Sequence, residues 1–162
     1  MGEVLDRPAI LAWREGLRRT GHRLVFTNGC FDLLHRGHVE YLAEARAMGD
    51  ALVVAVNDDD SVRRLKGPGR PLVPAVDRAQ VLVALQAVDR VVLFSEDTPA
   101  ELIAELLPDV LVKGGDYQLA EIVGRDLVEA AGGQVRRIPF RPGYSTSELI
   151  ARLRALDHAE GI

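Results

Sequence analysis

Two of the four histidines and the single cysteine of this sequence fall in one run, Thr27-Asn28-Gly29-Cys30-Phe31-Asp32-Leu33-Leu34-His35-Arg36-Gly37-His38. His35 and His38 are three residues apart, so at the mouth of a helix both imidazoles can face one ligand. Gly37 between them leaves room for it, and Gly29, lacking a Cβ, lets the backbone approach closely. The helix N-terminus behind the turn offers unpaired N–H groups and positive dipole, a natural receptor for phosphate. Two imidazoles meeting one phosphate is the chemistry this pattern suggests. Spacing alone leaves two other readings open, a chance pair of surface histidines or half of a metal site. No third histidine or cysteine falls at a recognisable spacing, and His22 and His158 lie in terminal segments. Neither the dinucleotide-binding Gly-x-Gly-x-x-Gly nor Walker A spacing occurs, which argues against a dehydrogenase and a P-loop kinase.

These residues need elements to hold them. A helix is predicted over Pro8–Arg19, with Asp6 near its start and Gly21 at its end, then a strand over Leu24–Thr27 and a helix over His38–Met48. The apolar run Ala51–Val56 reads as a buried strand, and a charged segment and the Gly67-Pro68-Gly69-Arg70-Pro71 loop follow it. Next come a helix from Asp77 to about Ala87, a strand over Arg90–Phe94, a helix from Pro99 to Leu107 and a strand over Val110–Lys113. A helix over Ala120–Ala131, a strand over Gln134–Phe140 and a last helix capped by Ser145 complete the chain. Five strands alternating with helices imply an α/β fold with a single doubly wound, five-stranded parallel sheet. Ligands of such sheets sit beyond the carboxyl ends of the strands. The segments there are rich in polar residues: Thr27-Asn28-Gly29, Asn57-Asp58-Asp59, Ser95-Glu96-Asp97, Lys113-Gly114-Gly115-Asp116 and Arg141 to Thr146.

The 162 residues, 48% hydrophobic and 27% charged with net charge -4, suit a single domain over 1–162, read as a helical extension over 1–22 and a core over 23–156. One cysteine excludes an internal disulfide and fits a reducing compartment. No apolar run approaches the roughly 18 residues of a membrane span, and the acidic start Met1-Gly2-Glu3 is unlike a signal peptide, so the expected location is cytoplasmic. Charges of both signs are mixed, with one Trp, three Tyr and four Phe, so neither nucleic acid nor membrane is an expected partner.

The His35-Arg36-Gly37-His38 signature, preceded by Asn28-Gly29-Cys30-Phe31-Asp32, resembles the His-x-Gly-His nucleotidyltransferase superfamily, which includes cytidylyltransferases and phosphopantetheine adenylyltransferase. Leu65-Lys66-Gly67-Pro68-Gly69-Arg70-Pro71, Glu96-Asp97-Thr98-Pro99 and the stretch from Leu107 to Tyr117 are similar to the adenylyltransferase half of bacterial heptose kinase/adenylyltransferases. The likeness runs from about Leu24 to Leu153 and lacks the sugar-kinase domain. It implies a Rossmann-like nucleotidyltransferase fold with strand order 3-2-1-4-5. It also implies ATP as substrate with Mg²⁺, and attack of heptose 1-phosphate on the α-phosphate to give ADP-heptose and pyrophosphate for outer-layer glycoconjugates. A separate sugar kinase and a homo-oligomeric state are implied as well. Such a transfer needs in-line alignment and charge stabilisation rather than a side-chain nucleophile, because the incoming phosphate is already a nucleophilic anion. The alternatives are cytidylyl or adenylyl transfer to another phosphorylated acceptor, such as glycerol 3-phosphate or a flavin precursor, and a non-catalytic nucleotide-binding protein.

By the same resemblance His35, His38 and Lys66 are catalytic, holding the triphosphate and stabilising developing charge; a solvated surface lysine is the plainer reading of Lys66. Thr27, Asn28, Gly29, Cys30, Phe31, Asp32 and Gly37 would line the nucleotide. Cys30 is either in contact with it or simply a small buried residue, and Asp32 would orient His35 or a Mg²⁺-bound water. No residue is assigned as a metal ligand. Arg78 would touch phosphate or serve at a helix start. Lys113, Gly114 and Asp116 would lie along the nucleoside, with Lys113 alternatively facing the sugar phosphate. The hydroxyls of Ser145 and Thr146 would bind phosphate or adenine, although an N-cap alone explains Ser145. Asn57 and Asp58 are placed to meet sugar hydroxyls, with Arg70 on the same substrate side, while Asp58-Asp59-Asp60 also suits a helix start. Cytidylyltransferases carry an arginine where Phe140 falls; here Arg141 is displaced by one, and its role is open.

Overall fold

The computed structural model describes residues 1–115 and 118–159. Its strands are β1 (Glu3–Leu5), β2 (Leu24–Gly29), β3 (Ala51–Asn57), β4 (Arg90–Phe94), β5 (Val110–Gly114) and β6 (Gln134–Ile138). Its helices are α1 (Arg7–Arg19), α2 (Arg36–Arg46), α3 (Asp59–Lys66), α4 (Ala75–Val83), α5 (Ala100–Leu106), α6 (Arg125–Ala130) and α7 (Thr146–Ala159). The strands form one parallel sheet in the order β1-β4-β3-β2-β5-β6. The sheet therefore has six strands rather than the expected five. The additional one is β1, paired with β4 through Val4 and Val91, and beside it the remaining five follow the order 3-2-1-4-5. Three residues, one of them a glutamate, give no period-2 signal to read, and the segment before residue 23 is thus strand and helix rather than helix alone.

The period of two along each strand sorts side chains onto two faces. Val25, Leu52, Val54 and Val56 face one cluster with Leu42 of α2 and Leu82 of α4. Leu24, Phe26, Val53 and Ala55 face the other with Ile10 of α1, Leu102 of α5 and Val128 of α6. At the amino ends of the strands the polar groups are structural: Asp109 accepts the Leu24 N–H and pairs with the buried Arg14, and Asp89 accepts the Leu52 N–H.

Helix boundaries follow local chemistry. Asp6 caps α1 by accepting the Ala9 N–H, and Asp58 caps α3 by accepting that of Ser61. α3 begins at the Asp58-Asp59-Asp60 run that the sequence suggested as a helix start, within a stretch otherwise read as charged. α4 starts at Ala75 behind Pro74 and ends at Val83, so Asp77 sits in its first turn and is not its cap. The helix expected over Ala120–Ala131 is a 3₁₀ turn, Leu119–Glu121, followed by α6, with Gly124 at φ 84° between them.

Candidate active site

A cleft of about 950 Å³ lies along the carboxyl ends of β2 to β6. At its centre, the turn after β2 leads into α2, whose N-cap is His35 with no side-chain capping bond. The opening turn of this helix faces the cleft, with Gly37 and His38 among the lining residues. The His35 and His38 rings stack with centroids 3.9 Å apart and 22° between planes, and Phe31 packs on His38 at 5.3 Å. The two Nδ1 atoms are buried without a hydrogen-bond partner. Burial lowers the pKa of both rings; for His38, burial and then the neighbouring His35 bring it from 6.5 to about 4. Both rings are therefore held neutral, each with a single N–H to give.

The glycines of this turn have a different role from the expected one. A Cβ on Gly37 would come within 2.9 Å of the Tyr144 Cβ and 3.0 Å of the His35 Nδ1; a Cβ on Gly29 would come within 2.9 Å of the Phe31 ring. The space is taken by the protein's own side chains, so these glycines let the rings pack where they do rather than admit a ligand. Phe31 itself adopts φ 49°, turning the chain sharply between β2 and the histidines. Asn28, Gly29, Cys30 and Phe31 all line the cleft. Thr27 does not: it is fully buried and bonded to the Tyr41 hydroxyl at 2.5 Å, because an inward-facing strand residue points into the core. Burial pushes the Cys30 thiol up, opposed by Lys66, so the thiol stays protonated and is no nucleophile.

The loop from Gly67 to Pro74 closes one wall. Asp32 accepts from Arg70 Nε at 2.6 Å and from the backbone N–H groups of Leu72 and Val73, which outweigh burial and hold its carboxyl below the usual range. Asp32 makes no hydrogen bond to His35; it ties the loop down and holds Arg70 at the cleft. Lys66, the last residue of α3, lines the same wall. Arg78 is buried away from the cleft, with Nε on the Val73 carbonyl, one terminal nitrogen on the carbonyls of Cys30 and Asn57 and the other on Asp59 Oδ1 at 2.8 Å. It binds carbonyls instead of phosphate because a fully enclosed guanidinium must spend its donors locally. Asp58 likewise caps α3 and does not line the cleft, whereas the buried Asn57 does.

The opposite wall is built from β5, β6 and the segment leading to α7. Lys113 lines it, its ammonium pushed down by burial. A Cβ on Gly114 would meet Phe140 at 3.0 Å and Tyr41 at 3.1 Å, so the strand end is clasped between two rings. Ser145 and Thr146 line the cleft; Thr146 Oγ1 bonds the Leu33 carbonyl and Ser145 Oγ accepts the Glu148 N–H. Arg141 pairs with Glu40 of α2, which also accepts from Arg36, and lies over the Tyr144 ring. Asp116 lies outside the described residues. Tyr41, Phe140 and Tyr144 had no sequence signal beyond being three of the few aromatics, since their role depends on which loop folds over which. Among the described residues no group of three or more His, Cys, Asp or Glu side chains is placed to hold a metal ion.

A parallel sheet with an imidazole pair at its central strand end and basic groups around it defines a phosphate-handling α/β protein. Residues 26–152 match the model of the cytidylyltransferase-like family, and the chain belongs to that family. It is 59% identical over 152 residues to the bifunctional protein HldE of Halorhodospira halophila, which covers 94% of this chain and 32% of that protein. The bifunctional protein HldE of Alkalilimnicola ehrlichii is 57% identical over the same shares. The chain thus spans about a third of the length of these curated relatives. Among solved structures, a lipopolysaccharide core biosynthesis protein from Thermoplasma volcanium is 31% identical with TM-score 0.62, covering 75% of this chain and 98% of that one. Pantoate-beta-alanine ligase from Francisella tularensis shares the fold alone, at 15% identity and TM-score 0.61 over 88% of this chain and 69% of that one. No helix among the described residues is long and apolar enough to cross a membrane.

Proposed function

We propose that this chain transfers the adenylyl group of ATP to a sugar 1-phosphate, heptose 1-phosphate in particular, releasing pyrophosphate and an ADP-activated sugar. The observation that carries this is the stacked, neutral His35–His38 pair at the uncapped start of α2, between Lys66 on one wall and Lys113 on the other. The similarity to bifunctional HldE and to a lipopolysaccharide core biosynthesis protein supports a sugar-nucleotide product. The nucleoside end of the cleft is assigned to Gly114, Phe140, Ser145 and Thr146, and the acceptor end to Asn57 and Arg70.

In this reading the two imidazoles donate to the triphosphate, and Lys66, Lys113 and α2 supply positive charge. The sugar phosphate oxygen attacks the α-phosphorus in line, and the bond to the β-phosphate oxygen breaks. Charge then builds on the departing pyrophosphate, where fixed donors stabilise it most. No proton transfer is needed, so histidines held neutral suffice as hydrogen-bond donors. Among the described residues no three His, Cys, Asp or Glu side chains are grouped to hold Mg²⁺, which is proposed to arrive on the triphosphate, as such a hard ion ordinarily does. The reading implies a cytoplasmic enzyme fed by a separate sugar kinase, and a homo-oligomer, which light scattering on the eluted protein tests. The deciding experiment offers heptose 1-phosphate, glycerol 3-phosphate and flavin mononucleotide, each with the four nucleoside triphosphates. Pyrophosphate release with heptose 1-phosphate and ATP is expected, and no release from that pair overturns the proposal.

A further inference from the structure

The segment after β4, Ser95 to Pro99, is outside the machinery described so far, yet Asp97, Thr98 and Pro99 line the same cleft. A carboxylate repels phosphate, so those that line the cleft need either a counter-charge or another use. On this side of the histidines the other cleft carboxylate, Asp32, is neutralised by Arg70 and two backbone N–H groups. Asp97 is also paired with a guanidinium, its Oδ1 accepting from Arg64 Nε at 2.7 Å, but its side chain is 65% exposed and its Oδ2 is open to the cleft solvent or to a ligand there. Arg64 also donates to the Ser95 carbonyl at 2.5 Å, so a guanidinium from α3 holds both the backbone and the carboxylate of this segment. β4 lies two strands from β2 in the sheet, on the side away from β5 and β6. Adjacent strands are about 4.8 Å apart, so the end of β4 lies roughly 10 Å along the sheet from the end of β2. Between them lies Asn57 at the end of β3. A neutral, hydroxylated group joined to a phosphate suits that place, since a carboxylate accepts O–H hydrogen bonds.

Resting on the adenylyltransferase reading, we infer that Asp97 is a specificity-determining residue that accepts hydrogen bonds from hydroxyls of the acceptor sugar, with Asn57 and Thr98 beside it, and that Arg64 is its positioning residue. The acceptor class is a polyhydroxylated sugar phosphate, with at least one free hydroxyl a sugar ring's width from the phosphate.

The test is steady-state pyrophosphate release with ATP and heptose 1-phosphate, each varied in turn. A hydrogen bond to a charged group corresponds to about a 10- to 100-fold change. Asp97→Ala is expected to raise KM for the sugar phosphate or lower its kcat/KM by that factor, with KM for ATP within twofold. Arg64→Ala shifts the same parameter in the same direction. The double variant is no worse than Asp97→Ala, because coupled residues are non-additive. Circular dichroism confirms that the variants fold. Wild-type turnover together with an unchanged sugar KM in Asp97→Ala, or an equal change for ATP, overturns this inference and leaves the adenylyltransferase reading standing. Absence of wild-type turnover overturns both.

Discussion

The imidazole pair does its work as two neutral rings, which sets two measurable consequences. Replacing either His35 or His38 by alanine removes one preorganised donor, and kcat for pyrophosphate release is expected to fall about 10²- to 10³-fold. The second consequence concerns acid stability. In the folded chain His38 titrates near 4, below the 6.5 of a free ring, so as pH falls the unfolded state takes up the proton first. The stability contributed by the buried neutral ring is full above about pH 6.5 and is lost on the way down to about 4. The thermal midpoint of the wild type should fall more steeply between pH 7 and 4 than that of His38→Gln; parallel curves would contradict the assignment. The pair was legible in the sequence because three-residue spacing at a helix start fixes the two side chains as neighbours. Gly29 and Gly37 were legible as special but not in their use. What fills the missing Cβ is the Phe31 ring in one case and Tyr144 with His35 in the other, and only tertiary packing decides that.

Among the elements, the strand-end segments are held by Arg78 and Asp32, which link the turn after β2, the end of β3, the Gly67–Pro74 loop and the start of α4. Arg78 is fully enclosed, with three carbonyls and one carboxylate as partners. Substituting methionine keeps much of the volume but strips those acceptors, and the loss expected in urea unfolding is about 3–5 kcal/mol, as for breaking other buried charge pairs. A loss below 1 kcal/mol would show that water replaces the guanidinium. Sequence reasoning placed Arg78 near the phosphates because an arginine after a glycine-rich loop suits either role, and only its enclosure distinguishes them. The start of α3 was legible in Asp58-Asp59-Asp60, but its extent was not, because the run of Asp and Arg has no apolar stripe beyond Val62 and Leu65. The helix exists because Asp58 caps it and acidic and basic residues sit at the dipole ends that favour them.

At the scale of the molecule, the alternation of apolar strands with helices made the parallel sheet readable, while the order of its inner strands was implied by the family resemblance. In the first 22 residues the helix over Pro8–Arg19 was legible and is α1, but the strand before it was missed, since β1 is too short to show a pattern. Yet α1 covers one face of the sheet through Ile10, which is wholly buried, and Arg14 bonds the backbone carbonyls of Leu106 and Leu107. Ile10→Ala is accordingly expected to cost about 2–5 kcal/mol, the range for a large core truncation, in the same unfolding measurement. A segment that were merely appended would give almost none. The short β1 also matters for the company the protein keeps. Any open sheet invites a stray strand from another molecule to continue its ladder. Here one border is only three residues long and the other, β6, carries Arg136 and Arg137, so crowded copies find little backbone to zip onto and mutual charge in the way.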